Sequence, residues 1–417
     1  MNGKEKLDTA LAHKAGPVPF DLGATAVTGI HCSVVEKLRH YYGLEQHPVA
    51  IADPYQMLGV IDDDLKAAMG IDTDCITSDS TIFGFKPGSE KEWRTPWGQT
   101  VLVSDEFKTS LSAEGDTLIY ACGDTDYPPC ARMPASGYFF DSIIRGHTYD
   151  EDNPHVEDNL EEFTLISQAT QEFMQKQLAP LVNSGRGLVA QVGGCAIGDI
   201  ALVPGPMLKD PKGLRDITEW YMATVADPGY LHQIFEKQTE IALQNLKTTY
   251  ELLGDAVSVV FICGTDFGTQ KAPFCSNETF RSLYQPYYRK MNDWIHQNTM
   301  WKSFKHSCGS IRPLLGDIIE SGFDIINPVQ WSAKNMDAKT LKRDFGHDIT
   351  FWGGGINTQK TLPYGTPDEV RQEALGCLEI FARDGGYVFN TVHNIQAKTP
   401  VENVVALAEA LLSFNQR

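Results

Sequence analysis

The sequence predicts an α/β chain folded as a (β/α)8 TIM barrel, with an N-terminal helical segment and an inserted β-hairpin or meander. Three observations predict it. From about residue 185 onward short β-branched runs alternate with amphipathic stretches, the pattern of βα units on a parallel sheet. Helix start and stop signals fall between the runs. Two further runs nearer the N-terminus bring the strand count to eight. In order, the strands are Val18 to Leu22, Asp74 to Thr77, Leu188 to Val192, Val257 to Ile262, Trp301 to Lys305, Phe323 to Ile326, Ile349 to Trp352 and Tyr387 to Phe389. Thr366-Pro367-Asp368-Glu369 and Thr399-Pro400-Val401-Glu402 each read as an N-cap Thr, Pro at the first helical position and a capping-box Glu. Gly322 and Gly385 fit helix C-caps. Between residues 90 and 122, Trp93, the turn Pro96-Trp97-Gly98 and the alternating Thr100-Val101-Leu102-Val103 predict the hairpin or meander. We take residues 80–150 as a lid-like insertion within a single domain spanning 1–417. The acidic stretch Asp150 to Pro154 reads as a solvated loop.

Composition narrows the class. The 417 residues are 42% hydrophobic and 21% charged, which excludes disordered, collagenous and disulfide-scaffold proteins. Thirty-five Lys and Arg against 54 Asp and Glu leave −19, so nucleic acid and anionic membranes are poor partners. No run approaches the ~20 apolar residues that span a bilayer, and the start Met1-Asn-Gly-Lys-Glu-Lys-Leu-Asp has no secretory pattern; the expectation is a cytoplasmic protein. Nine scattered cysteines without a Cys-x-x-Cys pair argue against disulfides or a closed zinc knuckle. Walker, Gly-x-Gly-x-x-Gly, Gly-x-Ser-x-Gly and His-Glu-x-x-His motifs are missing, so nucleotide binding, serine hydrolysis and zincin chemistry lack support.

The chemistry concentrates at strand ends. In Phe304-Lys305-His306-Ser307-Cys308-Gly309-Ser310, positions i and i+2 of an extended segment face one side, so His306 and Cys308 converge. Imidazole with thiolate suits Zn²⁺, which needs a further protein ligand and, if catalytic, an open position. By itself His-x-Cys is a short signal that leaves a non-metal role open. The carboxyl ends of barrel strands are where active sites are built, and the same mouth should receive Asp266 and Gln270 after the fourth strand, Asn327 and Gln330 after the sixth, and Asn390 and His393 after the eighth. Taken singly, Asp266 also fits an N-cap or turn carboxylate, and the amides fit loop groups satisfying backbone. Gly353-Gly354-Gly355 gives backbone room at the mouth.

Three segments carry a family resemblance: His306-Ser-Cys-Gly-Ser310, Glu320-Ser-Gly-Phe-Asp-Ile-Ile-Asn327, and Gly385-Gly-Tyr-Val-Phe-Asn-Thr-Val-His393-Asn-Ile-Gln with Lys398-Thr-Pro-Val-Glu-Asn403. Together they resemble the uroporphyrinogen decarboxylase superfamily, whose barrel serves decarboxylases and zinc-dependent, corrinoid-linked methyltransferases. The likeness is densest over roughly residues 185–415; Ile51-Ala-Asp-Pro-Tyr-Gln and Gly70-Ile-Asp72 fit the N-terminal pattern. The decarboxylases carry an Arg-Gln-Ala-Gly-Arg-Tyr motif suited to a polycarboxylate substrate. This chain has Val18-Pro-Phe-Asp-Leu-Gly-Ala-Thr25 instead, and its first arginine is Arg39.

The resemblance to the methyltransferase branch implies that His306 and Cys308 hold zinc. That branch places its third ligand, a Cys, where this chain has His393, as the decarboxylases do, and a Glu where it has Gln330. A His306, Cys308, His393 set leaves a formal +1 at zinc, a stronger Lewis acid than a neutral centre. In this scheme Asp266 and Gln330 are catalytic, Asp266 as general base or substrate-positioning carboxylate and Gln330 as weak fourth ligand or orienting amide. Gln270, Asn327 and Asn390 bind substrate. Without an Asp-x-His-x-x-Gly segment the corrinoid, as methylcobalamin, belongs to a separate corrinoid protein. The partners implied are therefore that protein and a small-molecule methyl donor or acceptor, and the outward barrel helices are compatible with a homodimer. Two alternatives differ in class: a metal-free lyase decarboxylating a smaller substrate through Asp266 and His393, and a non-enzymatic corrinoid or tetrapyrrole carrier.

Overall fold

The computed structural model describes residues 1–146, 154–191 and 195–417. The solvated loop at Asp150 to Asn153, the end of the lid-like insertion and strand residue Val192 lie outside the described residues.

Among the described residues seven parallel strands follow one another around a single sheet: β1 (Thr73–Ile76), β2 (Gly187–Gln191), β3 (Val259–Cys263), β4 (Lys302–His306), β5 (Ile325–Asn327), β6 (Thr350–Trp352) and β7 (Tyr387–Val388). The expected run Val18 to Leu22 fills the eighth position through the short stretch Pro19 to Asp21. Phe20 bridges Phe389 in parallel on one side, and its carbonyl accepts from the Asp72 amide on the other, at 2.8 Å. The (β/α)8 expectation therefore holds, with boundaries displaced by one or two residues. Most strand residues are buried, as a sheet covered on both faces requires.

Val189, Val259, Phe304, Ile325, Trp352 and Val388, one from each of β2 to β7, pack with Leu7, Ala10 and Leu11 in one cluster. These last three belong to the helix Gly3–Leu11, whose Asn2 and Glu5 close a capping box. The helix seals the end of the barrel where strands begin: Lys4 donates to the Gly185 carbonyl, and Gly386 to that of Ala10. Burying Leu7 contributes about 1.5–3 kcal/mol. Higher in the barrel Asp21, wholly buried, accepts from the Thr73 hydroxyl and the Trp352 indole, each at 2.7 Å, and the Asn390 amide donates to the Asp21 carbonyl. Burial raises the Asp21 pKa against four donors that lower it, the Thr73 hydroxyl, the Trp352 indole, the Ala24 amide and the Thr28 hydroxyl.

The insertion leaves the carboxyl end of β1, so it rises on the mouth side. It forms two antiparallel units rather than one. The hairpin Glu90–Arg94 with Thr100–Ser104 turns where Pro96-Trp97-Gly98 predicts, and Thr100–Ser104 also pairs in parallel with Val49–Asp53. Thr109–Leu111, Thr117–Ile119, Ala131–Met133 and Asp141–Ser142 form a meander. The Lys398 ammonium stands 4.7 Å from the Tyr138 ring centre, which joins the insertion to the chain following β7.

Two helix ends correct the sequence reading. Thr366 does cap Pro367–Phe381 with Glu369 in a full capping box. Thr399 does not cap Val401–Asn415: the N-cap is Pro400 without a side-chain bond, and the Thr399 hydroxyl turns back to the Gln396 carbonyl. Gly322 follows its helix at φ +90°, as read, whereas the helix before Gly385 ends at Ala382 and left-handed Asp384 intervenes. No helix among the described residues is long and apolar enough to cross a membrane.

Candidate metal centre

The end of β4 delivers His306 as its last residue, and the chain then runs straight into Cys308. Their approach is set by two loops laid backbone against backbone. Residues 265–269, after β3, meet residues 305–310. The Phe267 amide donates to the Ser307 hydroxyl (2.8 Å), the Cys308 amide to Asp266 Oδ1 (2.6 Å) and the Ser310 amide to the Thr269 carbonyl (2.8 Å). Such contact leaves no room for side chains at Gly268 and Gly309. A Cβ on Gly268 would sit 2.6 Å from the Cys308 carbonyl, and one on Gly309, at φ +86°, 2.5 Å from Gly268.

Cys308 Sγ stands 3.4 Å from His306 Nε2. His393, on the loop after β7, brings a third donor, and the ligand atoms of His306, Cys308 and His393 all lie within 4.8 Å of one another. Around tetrahedral zinc, bond lengths of about 2.0–2.3 Å separate ligand atoms by roughly 3.5 Å. The His306–Cys308 pair meets that spacing and small side-chain shifts bring His393 to it, so the donors fit the ion.

The electrostatics suit it as well. Asn327 Nδ2 donates to the Trp352 carbonyl at 2.9 Å, which turns Oδ1 toward His306; the 2.6 Å contact is then a bond donated by His306 Nδ1. The free lone pair is left on Nε2, facing Cys308, as in metal-binding histidines held by an outer partner. Burial lowers the His306 pKa against the pull of Asp266, whose Oδ1 lies 3.8 Å from Nε2. Burial and then the neighbouring His306 lower that of His393 to about 4. Both imidazoles are neutral at pH 7. Burial, reinforced by Asp266, pushes the Cys308 thiol well up, so it stays protonated until a cation replaces the proton.

The other sequence-predicted residues separate into two groups. Asp266 is at the mouth with 29% of its side chain exposed. Gln330 is buried beside the pair: Oε1 accepts from the Gly309 amide at 2.8 Å, and Nε2 donates to Gln270 Oε1 at 3.0 Å, with Gln270 exposed. Asn327 and Asn390 are fully buried and engaged, the first with His306 and the second with Asp21. The structure thus places these two behind the mouth and brings the rest together around it.

Three neighbours escape sequence reasoning. Asp199, after β2, lies against Gly264 and is pushed up to about 6, by burial first and then by Asp266. Among the described residues the buried Tyr221 hydroxyl has no hydrogen-bond partner, and the ring stacks on Phe274 with centres 4.9 Å apart. Lys305 is wholly buried in β4. Only the Lys305 charge within a strand run gives any signal in the sequence; Asp199 and Tyr221 reach the site through the fold.

Comparison with known proteins agrees with this architecture. Residues 207–414 match the uroporphyrinogen decarboxylase (URO-D) family model. Uroporphyrinogen decarboxylase of Actinobacillus succinogenes is 24% identical over 191 residues, 46% of this chain and 50% of that protein. That of Coxiella burnetii is 30% identical over 101 residues, 24% of this chain and 26% of the relative. The chain thus aligns with half or less of the length of these curated relatives. A methyltransferase from Methanosarcina mazei superposes over 99% of both chains with a TM-score of 0.55 and 17% identity, a likeness of fold.

Proposed function

We propose, from the premise that this chain belongs through residues 207–414 to the uroporphyrinogen decarboxylase superfamily, that it is a zinc-dependent methyltransferase. It moves a methyl group between a small molecule and a corrinoid carried by a separate protein. The observation that carries this reading is the convergence of His306, Cys308 and His393 within 4.8 Å at the barrel mouth. The likeness to the Methanosarcina mazei methyltransferase supports it.

Each residue then has a task. His306 Nε2, Cys308 Sγ and a His393 ring nitrogen would hold zinc. Zinc bound there would supply Lewis acidity, acidifying a thiol or polarising an ether oxygen of the substrate. Asn327 fixes the His306 tautomer. Asp266, beside the pair, accepts or returns a proton of the substrate. Gln330 holds the Gly309 amide and, with Gln270, orients the substrate from the exposed side. The insertion above β1 excludes water. Since this sequence has no Asp-x-His-x-x-Gly segment, the corrinoid reaches the mouth on its own protein.

The test is metal content of purified native, Cys308→Ala and His393→Ala protein, followed by methyl transfer with methylcobalamin. About one zinc per chain, lost in both variants, is the expected result. Absence of zinc from native protein even after reconstitution overturns the proposal.

A second reading has its own observation, because the curated relatives are decarboxylases. It is a metal-free lyase acting on a smaller carboxylated substrate through Asp266 and His393. The charges here disfavour a polycarboxylate: Arg39 is buried and held by Asp62, Asp64 and the Glu45 carbonyl, and Asp199 and Asp266 line the mouth. Metal-independent CO₂ release would establish the lyase.

A further inference from the structure

Lys305 is the last residue of β4 before His306, and none of its surface is exposed. Its ammonium donates to the carbonyls of Thr265, at 2.5 Å, and His306, at 2.7 Å. The ring centres of Phe267 and Tyr288 lie 5.0 and 5.6 Å away. Among the described residues no carboxylate stands at ion-pair distance from it, which is unusual, since a charge withdrawn from water is costly unless matched. A leucine or methionine would fill this space without that cost, so the ammonium calls for a task.

Its two anchors indicate which. Thr265 immediately precedes Asp266, and His306 is a donor of the proposed centre. Two carbonyl oxygens each within 2.7 Å of one nitrogen lie at most about 5 Å apart, and their dipoles oppose one another unless a cation sits between them. The remaining bonds between the two loops join residues 266–269 to residues 307–310. Among these contacts of the described residues, the Lys305 bond is the one that reaches the His306 carbonyl; within the sheet, β4 is also paired with β3 and β5.

We propose that Lys305 is the positioning residue of the centre. Its ammonium clips the peptide before Asp266 to the peptide of His306, and so holds the His306 imidazole, the Cys308 thiol and the Asp266 carboxylate in one geometry. The proposal rests on the metal-centre reading, and its test separates the two.

Cobalt(II), bound to the full-length protein in place of zinc, is the probe. Its thiolate charge-transfer band reports Cys308 ligation, and its visible bands report coordination geometry. Lys305→Met keeps the three donors and much of the buried volume. It should bind cobalt 10- to 100-fold more weakly, the usual range for losing an outer partner, with altered visible bands. Lys302→Met is the control. It sits at the other end of β4, paired with Asp324 at 3.0 Å, and should lose stability while keeping the native cobalt spectrum. If Lys305→Met fails to fold, Phe267→Leu, which removes one aromatic wall from the ammonium, should change the bands in the same direction. A variant with native spectrum and affinity overturns the role of Lys305 while leaving the centre intact. A native protein without the thiolate band removes the centre, and this proposal with it.

Discussion

Asn327 offers the sharpest test of how the centre is prepared. Its carboxamide makes two buried bonds, one accepted from His306 Nδ1 at 2.6 Å and one donated to the Trp352 carbonyl at 2.9 Å. Asn327→Ala removes both and strands a ring N–H and a carbonyl in a dry barrel. Each unsatisfied group costs about 1–3 kcal/mol, so the metal-free protein should lose roughly 2–6 kcal/mol. Zinc affinity carries a separate penalty, because the ring is then free to turn and to change tautomer. The usual 10- to 100-fold loss for an outer partner corresponds to about 1.4–2.7 kcal/mol. Urea melts with chelator present measure the first quantity, and competition with a chromophoric chelator measures the second. Asn327→Asp, which keeps an acceptor for Nδ1, should recover affinity without recovering all the stability. A variant Asn327→Ala that is destabilised as predicted yet binds zinc with native affinity refutes the claim that Asn327 prepares His306.

Three further outcomes follow from the same geometry. Because the Cys308 thiol stays protonated without metal, zinc binding near pH 7 should release about one proton and affinity should rise roughly tenfold per pH unit; a native titration that releases no proton contradicts Cys308 ligation. Asp199 has a folded pKa of about 6, above its ordinary 3.8, so its contribution to stability is present below pH 3.8 and lost as pH rises through 6. Asp199→Asn should therefore raise stability at pH 7.5, by roughly 1–2 kcal/mol once its partial exposure is allowed for, and leave it unchanged at pH 3.5; equal gains at both pH values would exclude the charge as the cause. Gly309→Ala, at φ +86° and 2.5 Å from Gly268, should cost more than about 1 kcal/mol and weaken zinc binding by parting the loops; thermal melts of the metal-free protein together with zinc titration would show it.

The eight strand positions were legible because strands buried on both faces read as continuous apolar runs bounded by turns; the i, i+2 spacing pointed to His306 with Cys308, although the strand ends at His306 and the loop after β3 holds Cys308 in place. Local signals were trustworthy where chemistry and geometry coincide, as at Thr366 with its Glu369. Thr399 carries the same residue pattern, yet tertiary placement starts that helix at Pro400 and gives the hydroxyl to Gln396. The substrate-facing role expected of Asn327 and Asn390 depended on knowing which side of a strand end faces the mouth, and one residue of displacement sends a side chain inward. Asp199 and Tyr221 reach the site through loops and a helix whose packing has no periodic trace in the sequence. Lys305 left a trace, a charge inside a strand run, but its burial and the two carbonyls it meets are visible only in the fold.

The barrel closes through two short parallel contacts, Pro19 to Asp21 with Phe389 and Ile30 with Ile395, rather than through a full strand. The Phe389 contact lies four residues from His393, whereas His306 and Cys308 stand on loops locked to one another across the sheet. The centre is thus assembled as two fixed donors plus one borrowed from the joint. Local opening of the joint would release the third donor and leave the other two in place, so the rate at which a bound ion escapes should follow the breathing of the closure rather than the strength of the pair. Hydrogen exchange at the Asp21 and Phe389 amides then becomes a clock for metal exchange.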